Sequence, residues 1–186
     1  MSNIKKFFYA NKFPWDTFKK YLKYSSKSEL VVDVALPIVA SILLLIGTSF
    51  FVSDFKVLIE KLQQLSGQVI AAISILAGFN ITSITVIATV GSHADQLRSR
   101  ISSDGQVSVY DMLIGFFTWA VTIQLIVVLF SILLFYIGSL TPINLAMPIP
   151  IWGWGLAAIW LSLTIHSILI SIRNIKTLFH YVTYTP

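Results

Sequence analysis

Four stretches of this chain, residues 34–52, 69–90, 112–137 and 151–170, run for about twenty residues or more without one Asp, Glu, Lys or Arg. A helix rises about 1.5 Å per residue, so roughly 20 apolar residues cross the 30 Å hydrocarbon core of a bilayer. The runs are continuous in Leu, Ile, Val and Phe. They lack the period-two alternation of ten-residue barrel strands. The expected fold class is therefore an all-α integral membrane protein with four transmembrane helices. Composition agrees: 56% of residues are hydrophobic and 11% charged, against about 45–50% and 25% in soluble domains.

The placement of Lys and Arg predicts orientation, because cytoplasmic segments keep positive charge during insertion. Lys5, Lys6, Lys12, Lys19, Lys20, Lys23 and Lys27 precede the first run, Arg98 and Arg100 follow the second, and Arg173 and Lys176 follow the fourth. Only Lys56 and Lys61 fall on the other side. Both termini are expected in the cytoplasm, with residues 53–68 and 138–150 outside. The net charge of +5 reads first as a topology signal, and no direct nucleic-acid contact is expected. No early apolar core with a cleavage site marks a signal peptide. A short multi-span chain without a transit pattern suggests a bacterial inner membrane.

Residues 1–30 form a basic aromatic head, and residues 31–186 the four-helix transmembrane domain. In the head, Phe7, Phe8, Phe13, Trp15, Phe18, Tyr21 and Leu22 are interleaved with lysines. Pro14 suits the first turn of a helix, on which Trp15, Phe18 and Leu22 share a face while Lys19, Lys20 and Lys23 point elsewhere. An interfacial amphipathic helix on the inner leaflet is predicted. Lys12, Trp15, Phe18, Lys19, Lys20 and Lys23 are its candidate contacts, to anionic lipid or to a cytoplasmic partner protein. A plain topology anchor is the simpler alternative.

The segment at 53–68 places Phe55, Leu58, Ile59, Leu62 and Leu65 at helical spacing. It either runs into the second span as one rod or lies flat on the outer leaflet, and its stripe meets another subunit or lipid. Asp33 and Asp111 each border a span, where a helix N-terminus favours negative charge. His93 sits in the loop after the second span, and Ser103, Asp104 and Gly105 signal a turn there. Pro148 and Pro150 set the start of the fourth span, with Trp152 and Trp154 at the interface.

Inside lipid, helices associate through small residues and hydrogen bonds. The second span carries Ala71, Ser74, Gly78, Thr82, Thr85 and Thr89 at steps of three and four, the fourth Gly155, Ala158, Ser162 and His166, and the third Gly115, Thr118 and Thr122. These stripes serve packing within or between subunits, or they line a narrow, weakly polar pore. Asn80 and Gln124 are expected near the bilayer midplane, where they can meet as structural glue or as a polar constriction. His166, about five residues inside the cytoplasmic end, reads as a proton-sensitive group or a neutral hydrogen-bonding one.

No carboxylate or basic residue lies within a run, so a proton-coupled pump lacks its usual parts. There is no HExxH, phosphate-binding loop or acid–histidine cluster, and Cys is absent altogether. No enzyme activity, cofactor or metal is expected.

The stretch SILAGFNITSITVIATVGS, residues 74–92, with the four-span layout and basic head, resembles small membrane subunits of bacterial phage-defence systems of the Kiwa type. That resemblance implies an oligomeric membrane component working with a cytoplasmic, nucleic-acid-acting partner in response to infection. The expected function is an oligomeric inner-membrane component of such a defence assembly, responding at the membrane and recruiting a cytoplasmic partner. A pore-forming effector that depolarises the membrane is the alternative, with the Ser74 to Thr89 stripe facing water and Asn80 or Gln124 at its constriction. A non-gating anchor is the third.

Overall fold

The computed structural model describes residues 12–89, 91–101, 107–140 and 147–183, with no side-chain detail for 91–94 and 181–183. Expectations placed on Lys5, Lys6, Phe7, Phe8, the turn at 103–105 and the side chain of His93 fall outside the described residues. Among the described residues six helices follow in order: α1 (Phe13–Tyr24), α2 (Lys27–Ser49), α3 (Phe55–Thr89), α4 (Gly91–Ser99), α5 (Val109–Leu140) and α6 (Ile151–Thr183). Among the described residues there is no strand, only two isolated bridges, at Asp54 with Pro148 and at Ile101 with Ser108. Helices α2, α3, α5 and α6 are long and apolar enough to cross a membrane. The fold class is that of a multi-pass, all-α membrane protein.

Local chemistry sets the helix ends. Pro14 lies in the first turn of α1, where a missing N–H costs nothing. Ser26 opens α2 with a capping box, its hydroxyl accepting from the Glu29 N–H while the Glu29 carboxylate accepts from the Ser26 N–H. Pro150 precedes α6, and its carbonyl accepts from the Gly153 N–H at 2.9 Å. Within α2, residues Val31–Ala35 form a π turn. Pro37 lacks the N–H that would bond the carbonyl four residues earlier, Asp33, and its ring crowds that carbonyl, so the helix widens there.

Helix α3 lies along α5, α5 along α6, and α6 along α2, with α1 laid across α5. Two contact layers bracket the apolar parts of α2 and α6. At the upper layer the Phe55 N–H donates to the Met147 carbonyl, and the Phe55 ring meets Trp152 at 5.3 Å. At the lower layer Asp33 of α2 pairs with Arg173 of α6. From Ile151 to Arg173 the rise is about 33 Å, close to the hydrocarbon thickness. Between these layers α2 and α6 carry no charged residue, and they expose Ile42, Leu43, Leu44 and Ile151.

Helix α3 is out of register with them. Its 35 residues extend about 52 Å. The segment at 53–68 is thus continuous with the second span as one rod from Phe55. Its stripe packs within the chain: Gln63 Nε2 donates to the Phe135 carbonyl at 3.2 Å, and Ile59 and Gln63 close over Gly138. The uncharged run of α3 begins at Val69, about 20 Å below the upper layer. The lower ends of α3, α5 and α6 therefore project past the Asp33–Arg173 layer. There Ile87, Val109, Leu113 and Phe117 form a small core with Leu97 of α4 and Leu178 of α6.

Candidate functional site at the lower end of the bundle

The lower layer is a polar cluster built by four helices. Asp33 is 1% exposed and sits opposite Arg173, whose Nη1 lies 2.5 Å from Asp33 Oδ2. Tyr21 of α1, fully buried, donates its hydroxyl to the same oxygen at 3.0 Å. Burial first, and the Asp33 carboxylate second, push the Tyr21 phenol well above its ordinary range, so it remains a donor. The Arg173 guanidinium stands 4.4 Å from the Phe116 ring centre and 5.3 Å from that of Tyr21. Its Nε and Nη2 have no hydrogen-bond partner, and these ring faces take their place. Nη1 also reaches Ser25 Oγ at 3.4 Å.

The π turn brings His166 into this cluster. The Asp33 carbonyl, deprived of a Pro37 N–H, meets His166 Nδ1 at 2.5 Å. Trp119 Nε1 donates to His166 Nε2 at 3.3 Å. A ring that accepts at Nε2 carries its proton on Nδ1 and donates to the carbonyl, so His166 is held as one neutral tautomer. Around it Tyr21, Phe116, Trp119, Ala120, Ile123 and Ile170 form the main apolar core.

Asp33 was expected to answer a helix N-terminus. That reading is corrected: it lies inside α2, two turns from its start, and its partner is Arg173. The head helix also buries a different face from the expected one. Thr17 and Tyr21 are buried, the Phe18 ring lies tilted against Trp119 at 5.0 Å, and Tyr24 covers Gly115. Trp15 and Leu22 remain exposed, at 56% and 40%, beside exposed Lys12, Lys19, Lys20 and Lys23. The chemistry behind the difference is the Tyr21 hydroxyl, which finds the buried Asp33 carboxylate.

Flanking Arg173 on α6, at Ser171 and Asn174, three helices share a second polar group. Asn80 Nδ2 donates to Gln124 Oε1 at 3.0 Å and to Ser171 Oγ at 3.1 Å, and Gln124 Nε2 donates to Ser171 Oγ at 2.6 Å. Asn174 Nδ2 reaches the Phe116 carbonyl at 3.2 Å. The structure thus brings Asn80 and Gln124 together, but at the level of Ser171, just past the fourth apolar run, rather than midway along it. Both are fully buried inside the protomer. In α6, Ser162 Oγ meets Ser41 Oγ of α2 at 2.5 Å, whereas Gly155 of the same stripe is exposed and a Cβ built there meets nothing within 4 Å. In α5, Gly115 lies beneath Tyr24 and Thr122 is buried.

The small-residue stripe of α3 behaves differently. The buried face of this helix is Leu58, Ser66, Ile73, Ala77, Asn80, Ser83 and Ile87. Ala71, Ser74, Gly78, Thr82, Thr85 and Thr89 all lie exposed on the opposite side, turned away from the described helices of the bundle. A Cβ built at Gly78 or Gly67 meets nothing within 4 Å. Steps of three and four extend the same line upward through Gly67, Gln64 and Glu60 to Lys56, with no large apolar residue on it. Thr82, Thr85 and Thr89 return their hydroxyls to carbonyls one turn earlier.

Among known proteins, the chain matches no family model, no curated sequence and no solved structure. Sequence reasoning missed Tyr21, Trp119, Ser171 and Asn174, and took Arg173 for a topology marker only. One signal was present: Asp33 and Arg173 each border a charge-free run, and Pro37 stands four residues after Asp33.

Proposed function

We propose that this protein is a self-assembling, multi-pass membrane component whose copies meet along the exposed stripe of α3. One observation carries the reading. Gln64 and Gln68 lie exposed about 14 and 20 Å below the upper layer, level with apolar residues that α2 exposes. A bare amide in hydrocarbon costs several kcal/mol. A neighbouring α3 covers such groups, and Gly67, Ala71, Ser74 and Gly78 allow it to approach closely. The charge placement supports cytoplasmic termini in an inner membrane. The lower projection, where Ile81 and Val86 are each 50% exposed, offers a cytoplasmic partner an apolar surface. The likeness to phage-defence membrane subunits supports an assembly that responds to infection and hands the response to such a partner.

The test is the native mass of the full chain in lipid nanodiscs, with Gly78→Phe as the variant. Since a Cβ built at Gly78 meets nothing within 4 Å among the described residues, the variant is expected to fold as before and to fall from oligomer to monomer. A wild type that is monomeric in nanodiscs overturns the reading. A second reading, a conducting pore, is favoured by the polar character of the α3 line from Lys56 to Thr89. In planar bilayers, Gln64→Leu with Gln68→Leu then changes conductance. Silent membranes leave a non-conducting assembly.

A further inference from the structure

Helix α1 has a second face that stays exposed, turned away from the described helices of the bundle. Its docked side holds Thr17, Phe18, Tyr21 and Tyr24; the opposite side presents Lys12, Trp15, Lys19, Leu22 and Lys23, with Lys20 beside them, all exposed. Lys19 Nζ stands 5.3 Å from the Trp15 ring centre. Asp16 is the single acid on the helix.

The height of this face argues for its occupant. Phe18 rests on Trp119 and Tyr21 on the Asp33–Arg173 layer. That layer lies about 33 Å along α6 from the upper one, where hydrocarbon gives way to headgroups. At that depth a soluble protein would have to displace lipid to reach Trp15 and Leu22. A leaflet of anionic phospholipid matches both halves of the face. The indole and the Leu side chain sit at the acyl boundary, and the lysines reach phosphate oxygens. We infer that the outward face of α1 binds the anionic headgroups of the adjacent leaflet, so that lipid charge and the Tyr21–Asp33 contact hold one helix from opposite sides. Lipid composition then sets how firmly the cover over Asp33, Arg173 and His166 stays closed.

A lysine close to an anionic surface contributes roughly a fivefold preference. The experiment is hydrogen exchange of residues 13–24 in the full-length protein, in nanodiscs of phosphatidylcholine alone and with added phosphatidylglycerol. Exchange about tenfold slower with the anionic lipid is expected. The variant carrying Lys12→Gln, Lys19→Gln, Lys20→Gln and Lys23→Gln should lose that difference while its α5 and α6 amides exchange as before. Equal exchange in the two lipids overturns the proposal. So does inorganic phosphate reproducing the slowing in phosphatidylcholine, which assigns the face to free anions. A quadruple variant that keeps its lipid response but loses a co-purifying cytoplasmic protein overturns it in favour of a protein partner. Native mass in the same nanodiscs reports on oligomerisation separately, so failure of one idea does not mimic failure of the other.

Discussion

The lower end of the bundle and the outward face of α3 are both polar regions of an apolar protein, and they are built in opposite ways. At the lower end every principal polar group has a partner from another helix of the same chain: Asp33 has Arg173 and Tyr21, His166 has Trp119 and the Asp33 carbonyl, and Gln124 has Asn80 and Ser171. Along α3 the hydroxyls turn back on their own helix and the glutamines at 64 and 68 stay exposed. The first pattern is how a chain completes itself. The second, on the proposed reading, is a face left for a copy to complete.

The largest expected effect attacks the completed region. Asp33→Ala leaves Arg173 buried without its counter-charge and should cost about 3–5 kcal/mol of stability, whereas Asp33→Leu combined with Arg173→Met recovers most of it. Thermal unfolding in detergent reads both, and a double variant as unstable as the single one would deny that the pair organises this end. Next comes a contrast between adjacent residues of α3. Ala77, 5% exposed, lies on the buried face of α3, so Ala77→Phe should destabilise the protomer by about 1–3 kcal/mol. Gly78→Phe should instead leave unfolding unchanged and abolish assembly. If both residues behave alike, the two faces of α3 are not distinct.

A smaller effect is expected from Asn80→Leu. Interhelical hydrogen bonds in membranes average about 0.6 kcal/mol with a maximum near 1.7, and Asn80 Oδ1 has no partner to lose. Native mass and any conductance should be unaffected, because Asn80 lies within the protomer. The smallest is Gly115→Ala, whose Cβ would stand 3.2 Å from the Tyr24 ring. A ring shift of a few tenths of an ångström absorbs it, at a cost below about 1 kcal/mol. Gly155→Ala, with nothing within 4 Å, serves as the control, and faster exchange of α1 amides in Gly115→Ala alone would register the difference.

Much of the architecture was legible because hydrocarbon is a strict solvent. Four charge-free runs became four helices, and Pro148 and Pro150 placed the start of α6. The pairing of Asn80 with Gln124 was also accessible, since two amides in apolar surroundings have few alternatives. What periodicity could not supply was direction. Steps of three and four put Ser74 and Thr85 on one face, yet the same arithmetic fits a face turned inward or outward. Trp15 and Phe18 were grouped by hydrophobicity, while the side of α1 that docked was decided by a tyrosine hydroxyl. The ion pair joins residues 140 positions apart, and relative heights of the helices follow from such contacts, which no local window contains.

Helix α3 runs unbroken through 35 residues, with no proline or π turn to absorb bending. Such a rod is a lever arm. A tilt of about 5° at the Phe55 end carries the Thr89 end through about 4.5 Å, enough to part α3 from Phe117 and Leu113 below. A displacement on one side of the membrane thus arrives on the other as a movement the size of a side chain, without any helix having to slide.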